Sequence, residues 1–307
     1  MTPPIVSLHH VTATVDRAQP DLDCYAGTLG LRLVKRTVNF DNHDVFHFYY
    51  GDRIGSPGTI WTTFPYHGMG VRQGVHGAGQ IVATSFSVPR DSLAHWEDRL
   101  GATRGPDRFG APALAFQDPS GLAIELIECD DAREPWRTER VPAPAAVRGL
   151  HGVTLAVRRA GPTIEFLASL GFAPIEREGE RVRLALGEGR PEQTLDVLET
   201  ADLPDGVNGL GTVHHVALAI TDAEAQRALR ETLLERGVRV TEIRDRQYFT
   251  SIYFREPGGV LLEVATVGPG FAVDEPVDRL GQALKLPPWE EPHRAAIETA
   301  LPDIVVP

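Results

Sequence analysis

Three stretches of the chain open with nearly the same phrase: "SLHHVTATV" at 7–15, "GLHGVTLAV" at 149–157 and "TVHHVALAI" at 212–220. Each is an alternating apolar run of the kind that forms a half-buried strand. A helical stretch follows each one and stops at a glycine: Gly30, Gly171 and Gly237. A more worn copy, "IVATSFSVPRDSLAHWEDRLGATRG" at 81–105, stops at Gly101. Further strands complete each copy. The clearest are in the hairpin "YFTSIYFREPGGVLLEVAT" at 248–266, which turns at Pro257-Gly258-Gly259. The same shape recurs at 112–128 around Pro119-Ser120-Gly121, and copy one supplies "FHFYYGDRIGSPGTIWTTF". The unit is strand, helix, then about three strands, written four times. A repeated unit must bury like faces against like faces, which narrows the fold more than composition does. The expected class is α+β, built from four βαβββ modules.

A tract rich in Pro, Ala and charge, "DDAREPWRTERVPAPAAVRG" at 130–149, separates copies two and three. It divides the chain into an N-terminal domain (1–135, modules one and two), a C-terminal domain (146–268, modules three and four) and a proline-rich tail (269–307). The tail carries one expected helix near 290–300 and should pack across the domains. Residues 67–80, "HGMGVRQGVHGAGQ", read as a flexible glycine-rich connection. No helix follows them where a phosphate loop would need one.

The chain has 307 residues, 42% of them hydrophobic, enough for two sizeable cores. Its formal net charge of −12 and the lack of a basic stripe argue against nucleic acid as a partner. No apolar run is long enough to span a membrane, and the opening residues lack the pattern of a secretory signal. Cys24 and Cys129 are far apart and lack metal-ligand spacing, so they read as free thiols in a reducing, cytoplasmic compartment. Exposed strand edges favour a homo-oligomer.

Alignment of the copies makes the repeat informative. The second position of the histidine doublet reads His10, Ala83, Gly152 and His215. Six residues after the hairpin proline stand Thr63, Glu125 and Glu263 in copies one, two and four; Asp196 is the candidate in copy three. Ligand-type residues thus coincide as His10, His215 and Glu263. Two neutral imidazoles and one carboxylate leave coordination positions open, which suits a non-haem Fe(II) that must meet dioxygen and substrate together. A glutamate at 63 would have filled one of those positions and favoured Lewis-acid chemistry. Copies one and four must then share a cavity, and copies two and three form a metal-free pair. Neighbours in a strand point to opposite faces. One histidine of each doublet therefore reaches the metal, and Gly152 beside the surviving His151 picks the second. His47 and His151 read as hydrogen-bonded core residues, Glu125 as a salt-bridged strand residue, and Phe46, Phe48, Tyr49 and Tyr50 as core packing.

The chain resembles the vicinal oxygen chelate superfamily, which includes glyoxalase I, fosfomycin-resistance proteins and extradiol dioxygenases. More narrowly, "LHHVTATV", "LGLRLVKRTVNFD", "YYGDRIGSPGTIWTTFP", "RDRQYFTSIYFREPGGVLLEVAT" and "DEPVDRLGQALKLPPWEE" resemble the four-module hydroquinone-type ring-cleaving dioxygenases. The resemblance covers nearly the whole chain and implies cupped mixed sheets with Fe(II) held by His10, His215 and Glu263. Mn(II) is a possible substitute. It also implies supporting roles for Arg246, Tyr248 and Tyr253, and places His9 and His214 near the pocket. Tyr253, His214, Arg246 and His9 are thus the candidate catalytic residues beside the metal. The expected reaction is opening of a para-diol ring by dioxygen, in aromatic hydrocarbon catabolism. Three rival readings are a catechol extradiol dioxygenase, a glyoxalase-type metal lyase or isomerase, and a non-catalytic protein that sequesters an aromatic compound.

Overall fold

The computed structural model describes residues 5–307, so residues 1–4 of the first expected domain lie outside the described residues. Each repeat folds as one module. Copy one gives β1 (Ile5–Val15), β2 (Arg32–Asn39), β3 (Asn42–Gly51) and β4 (Ile60–Pro65). Copy two gives β5 (Gln80–Val88), β6 (Ala113–Gln117) and β7 (Ala123–Glu128), one strand fewer than expected. Copy three gives β8 (Gly149–Val157), β9 (Ala173–Glu178), β10 (Arg181–Ala185) and β11 (Thr194–Glu199). Copy four gives β12 (Thr212–Ile220), β13 (Arg244–Asp245), β14 (Thr250–Arg255) and β15 (Leu261–Thr266). The helix of each module is α1 (Ala18–Leu22), which runs on as a π-helical turn, α2 (Leu93–Leu100), α3 (Ala160–Ser169) and α4 (Ala223–Glu235). All four predicted stops adopt positive φ, Gly101 at 60° as the cap of α2.

The modules pair as the histidine alignment requires. An eight-stranded sheet runs β13-β14-β15-β12-β1-β4-β3-β2, joining copies four and one; a seven-stranded sheet runs β6-β7-β5-β8-β11-β10-β9, joining copies two and three. The central pair of each sheet is antiparallel, β1 with β12 and β5 with β8, while each opening strand runs parallel to the last strand of its own module. The linear halves 1–135 and 146–268 therefore each lend strands to both sheets. One apolar core spans the two sheets; within it Trp61 of β4 meets Phe86 of β5 edge-on, with ring centroids 6.0 Å apart.

Two connections are more ordered than their composition suggests. In the 130–149 tract, Val141, Ala145, Ala146 and Val147 are buried, and Arg133 donates to the carbonyls of Gly58 and Leu150. The glycine-rich stretch 67–80 is not a loose connection, because it bridges the 204–210 segment at Gln73, Val75 and Ala78. A Cβ on Gly77 would sit 2.2 Å from the Pro204 carbonyl oxygen, so glycine here permits two backbones to touch. The tail wraps the eight-stranded sheet. Its Asp274 and Glu275 both accept from the fully buried Lys35 of β2, and its helix α5 (Arg294–Ala300) falls where the sequence places one. Among the described residues no helix is long and apolar enough to cross a membrane, and both cysteines are free.

Candidate metal centre

The histidine doublets do not obey simple strand alternation. In the β1–β12 ladder, Leu8 pairs with Leu218 and His10 with Ala217, so His9 is an extra residue; Thr12 pairs with His215 and Ala13 with Val213, so His214 is another. Each doublet therefore opens with a β-bulge, which bends the strand and re-aims the next side chain. The β5–β8 ladder skips Val82 and His151 in the same way. The bulge belongs to all four modules, and the histidines exploit it in two.

Because of the bulge, both imidazoles of a doublet lie on the same side of the sheet. His9 Nδ1 is 2.9 Å from His10 Nδ1, and His214 Nδ1 is 2.7 Å from His215 Nδ1. Burial, followed by the adjacent His10, pushes the His9 pKa down to about 3. Burial, followed by His215, does the same to His214. Both are neutral rings, able to accept the Nδ1 proton of the neighbour and so turn its bare Nε2 outward. His9 packs on Phe249 behind the centre, whereas His214 reaches the cavity wall.

His10, His215 and Glu263 converge. Glu263 Oε2 lies 3.2 Å from His10 Nε2 and 2.7 Å from His215 Nε2, and the two Nε2 atoms are 3.3 Å apart. All three residues are buried. Ser251 donates to Glu263 Oε1, but Oε2 is buried without a hydrogen-bond partner. Burial would raise the Glu263 pKa, yet the two imidazoles beside it hold its carboxyl well below the usual range. Burial lowers that of His215. The result is two imidazole Nε2 atoms and one carboxylate oxygen without a hydrogen-bond partner aimed at one point. A cation bound at roughly 2.1 Å from three mutually perpendicular donors would set them roughly 3 Å apart, so the arrangement fits a divalent metal.

The cavity above the trio measures about 220 Å³, below the roughly 300–1,000 Å³ of drug-sized pockets, and admits a single small ring. Tyr253 sits directly across the ladder from Glu263, so the register puts both on one face. Arg246 Nε donates to Tyr253 Oη at 3.1 Å, and its Nη2 reaches Asp41 Oδ2 at 3.0 Å. This ion pair spans the cavity mouth from the β2–β3 turn to the segment before β14. Burial, with Glu263 nearby, pushes the Tyr253 phenol well above its usual range, so it keeps its proton. Tyr248 points elsewhere: it is buried, stacks on Phe271 and donates to Asp274 of the tail. It lies in the bend before β14, after Gln247 at a φ of 65°, and its neighbours Arg246 and Phe249 line the cavity instead.

Copy one builds the opposite wall and corrects two expectations. Thr63 does not face the centre; its hydroxyl donates to buried Asp21, which also accepts from Tyr50. The residue matching Glu263 is Thr62. It pairs with Thr12 of β1, two residues past His10, as Glu263 pairs with Ala217 two past His215. The turn after Pro57 is one residue shorter than those after Pro119 and Pro257, and one residue reverses the face of a strand side chain. Tyr49 pairs with Thr62 as Tyr253 pairs with Glu263, and it lines the cavity rather than the main core. His47 lines the cavity too, between the rings of Tyr49 and Phe64 at 4.0 and 4.2 Å.

The seven-stranded sheet repeats this geometry with other side chains. Glu125 pairs with Ser85 and Asp196 with Thr154, each two residues past the doublet position, so Asp196 is the copy-three match. Arg108 grips Glu125, as a salt bridge was expected to, and Arg181 and Arg183 grip Asp196 at 3.3 and 2.8 Å. Among the described residues His10, His215 and Glu263 form the one cluster with metal-ligand geometry.

Comparison with known proteins shows the family and the fold. Residues 149–264 match the Glyoxalase/Bleomycin resistance protein/Dioxygenase superfamily. MhqO of Bacillus subtilis strain 168, provisionally named a ring-cleaving dioxygenase, is 41% identical over 96% of this chain and 96% of its own length. A chlorohydroquinone/hydroquinone 1,2-dioxygenase of Sphingobium indicum is 37% identical over 98% of both chains. The crystal structure of a B. subtilis protein provisionally named a dioxygenase superposes with a TM-score of 0.94 at 40% identity, over 100% of this chain and 99% of that one. Glyoxalase I of Zea mays shares the fold, with a TM-score of 0.62 at 17% identity over 85% and 92% of the two chains.

Proposed function

The chain belongs to the glyoxalase, bleomycin resistance protein and dioxygenase superfamily and, within it, to the ring-cleaving dioxygenases; on that premise we propose that it opens hydroquinone-type rings with dioxygen at an Fe(II) held by His10, His215 and Glu263. The observation that carries this reading is the convergence of two Nε2 atoms and one unpartnered carboxylate oxygen under a small aromatic-lined cavity. Bound iron would supply a centre with open positions where ring and dioxygen exchange electrons; Mn(II) is a substitute of similar preference.

The chain's own side chains set the rest. His9 and His214 fix the tautomers of the ligand rings. Tyr253 keeps its phenolic proton and accepts from Arg246, so it presents a donor to the ring oxygen nearest the trio. His214 and Arg246 complete that donor set. A preorganised donor in a dry site is worth about 3 kcal/mol where charge develops. Phe249 and Tyr49 hold the ring plane and exclude water. Oxygen enters beside a hydroxyl-bearing carbon, the adjacent carbon–carbon bond breaks, and both atoms of dioxygen end in the semialdehyde or acyl product.

Thr62 at the place of a further carboxylate argues against a glyoxalase-type lyase or isomerase, which would use a fuller ligand set. A catechol-cleaving activity is the nearer alternative. Anaerobic loading with Fe(II), followed by hydroquinone, catechol or a thiohemiacetal, separates them. Oxygen uptake with a new product absorbance is expected for hydroquinone. Turnover of the thiohemiacetal without oxygen, or of catechol alone, overturns the reading. The setting proposed for the enzyme is cytoplasmic, as a homo-oligomer acting on a small aromatic diol, with neither nucleic acid nor membrane as partner.

A further inference from the structure

His47 takes no part in the reading above, yet its hydrogen bonds define which face it offers the ring. Its Nε2 lies 2.9 Å from Thr62 Oγ1. Thr62 has one proton, and that proton is donated to Thr12 Oγ1 at 2.9 Å. Thr62 can therefore only accept from His47, so His47 carries its proton on Nε2. Burial holds the ring neutral, far below its usual pKa. Nδ1 is thus a bare lone pair. It has no hydrogen-bond partner among the described residues, is not sealed from the cavity, and belongs to a residue that lines it.

The position of this lone pair follows from the module symmetry. His47 stands two residues before Tyr49, as Ser251 stands two before Tyr253. Ser251 spends its hydroxyl on Glu263, whereas His47 spends its proton on Thr62 and keeps an acceptor in hand. Its ring leans between Tyr49 and Phe64, on the wall built by copy one, whereas the Arg246–Tyr253 donor pair belongs to copy four of the same cavity.

We infer that His47 Nδ1 accepts the proton of the second ring hydroxyl, the one para to the oxygen that faces the metal trio, making His47 a specificity residue for para-diols. This rests on the function proposed above. One wall of the cavity donates to the inner oxygen and the other accepts from the outer hydroxyl, so a ring lacking the outer O–H leaves the lone pair unsatisfied. A buried acceptor without its donor lowers affinity by roughly tenfold.

The test is a binding measurement with metal-loaded protein under anaerobic conditions, in which hydroquinone and 4-methoxyphenol are titrated by calorimetry. The native protein should prefer hydroquinone by roughly tenfold. His47→Phe keeps the packing between Tyr49 and Phe64 and should bring the two affinities to within about twofold, with metal content unchanged. Thr62→Val, which leaves the wall intact but frees the tautomer, should lose part of the preference. A His47→Phe protein that is folded, holds its metal and still prefers hydroquinone tenfold overturns the inference. Should that variant fail to fold, retention of the full preference in Thr62→Val overturns it. Hydroquinone that binds with the expected preference but is not cleaved when oxygen is admitted overturns the proposed function and leaves the role of His47 standing.

Discussion

The two sheets share a backbone plan and differ in what closes the cup. In the eight-stranded sheet the carboxylate faces two imidazoles, and Glu263 Oε2 is left without a hydrogen-bond partner. In the seven-stranded sheet the equivalent carboxylates face guanidinium groups, which stay charged when buried. The second cup supplies its own cations; the first, on the proposed reading, takes one from solution. The difference teaches that this fold does not specify a metal. It specifies a bulge, a cross-strand position and a carboxylate, and the residues at 10, 83, 152 and 215 decide what fills the space.

The comparison breaks most sharply at the trio. Alanine at His10, His215 or Glu263 should abolish metal retention and ring cleavage in the folded protein, measured by metal analysis and oxygen uptake, whereas His151→Ala should leave both nearly intact. A dead but folded His151→Ala protein would contradict the ligand choice. Thr62→Glu sharpens the contrast between walls: it should keep the metal and lower oxygen uptake by about 100-fold through an added ligand. Thr63→Glu should instead unfold the protein at lower temperature, because it presses a second carboxylate on buried Asp21, whose pKa burial already raises to about 7.

Within the second cup, Asp196→Ala strands Arg181 and Arg183 and should cost about 3 kcal/mol in chemical denaturation, with turnover per folded molecule unchanged. Histidine at both 83 and 152 should leave the metal stoichiometry at one per chain. Arginines hold both carboxylates there, and a Cβ on Gly152 would lie 3.1 Å from the Thr194 carbonyl oxygen. The smallest effect concerns His151, whose pKa is pushed to about 3 by burial and then by Arg183 and Arg133. Its unfolded value is near 6.5, so the unfolded state binds the extra proton as acid is added. Its contribution to stability is complete above pH 6.5 and is lost as pH falls toward 3. His151→Asn should reduce the acid slope of stability by up to one proton over that window.

Much of this was legible in the chain. The repeat predicted the modules and their helices, and the coincidence of ligand types at 10, 215 and 263 predicted which modules share a cavity. What escaped was anything that turns on a single residue of register. The bulges at His9 and His214 put both rings of each doublet on one side, which alternation forbids. One residue fewer after Pro57 exchanged Thr63 for Thr62. Counting residues from the turn glycines in three copies would have exposed that slip. The inward turn of His47 and the reach of Asp41 to Arg246 leave no comparable trace, because both depend on how separate strands come to face each other. Glycine-rich composition suggested looseness at 67–80, although glycine there serves close contact between two backbones.

The ladder between β1 and β12 joins residues that are 205 positions apart at the trio, whereas β5 and β8 are much nearer neighbours in the chain. During synthesis the inner pair can therefore dock early, while the first module waits with an open edge until the last one emerges from the ribosome. A chain cut short before residue 263 would lack the carboxylate that completes the trio. On the proposed reading, metal loading thus reports that the fourth module has been made and has docked on the first.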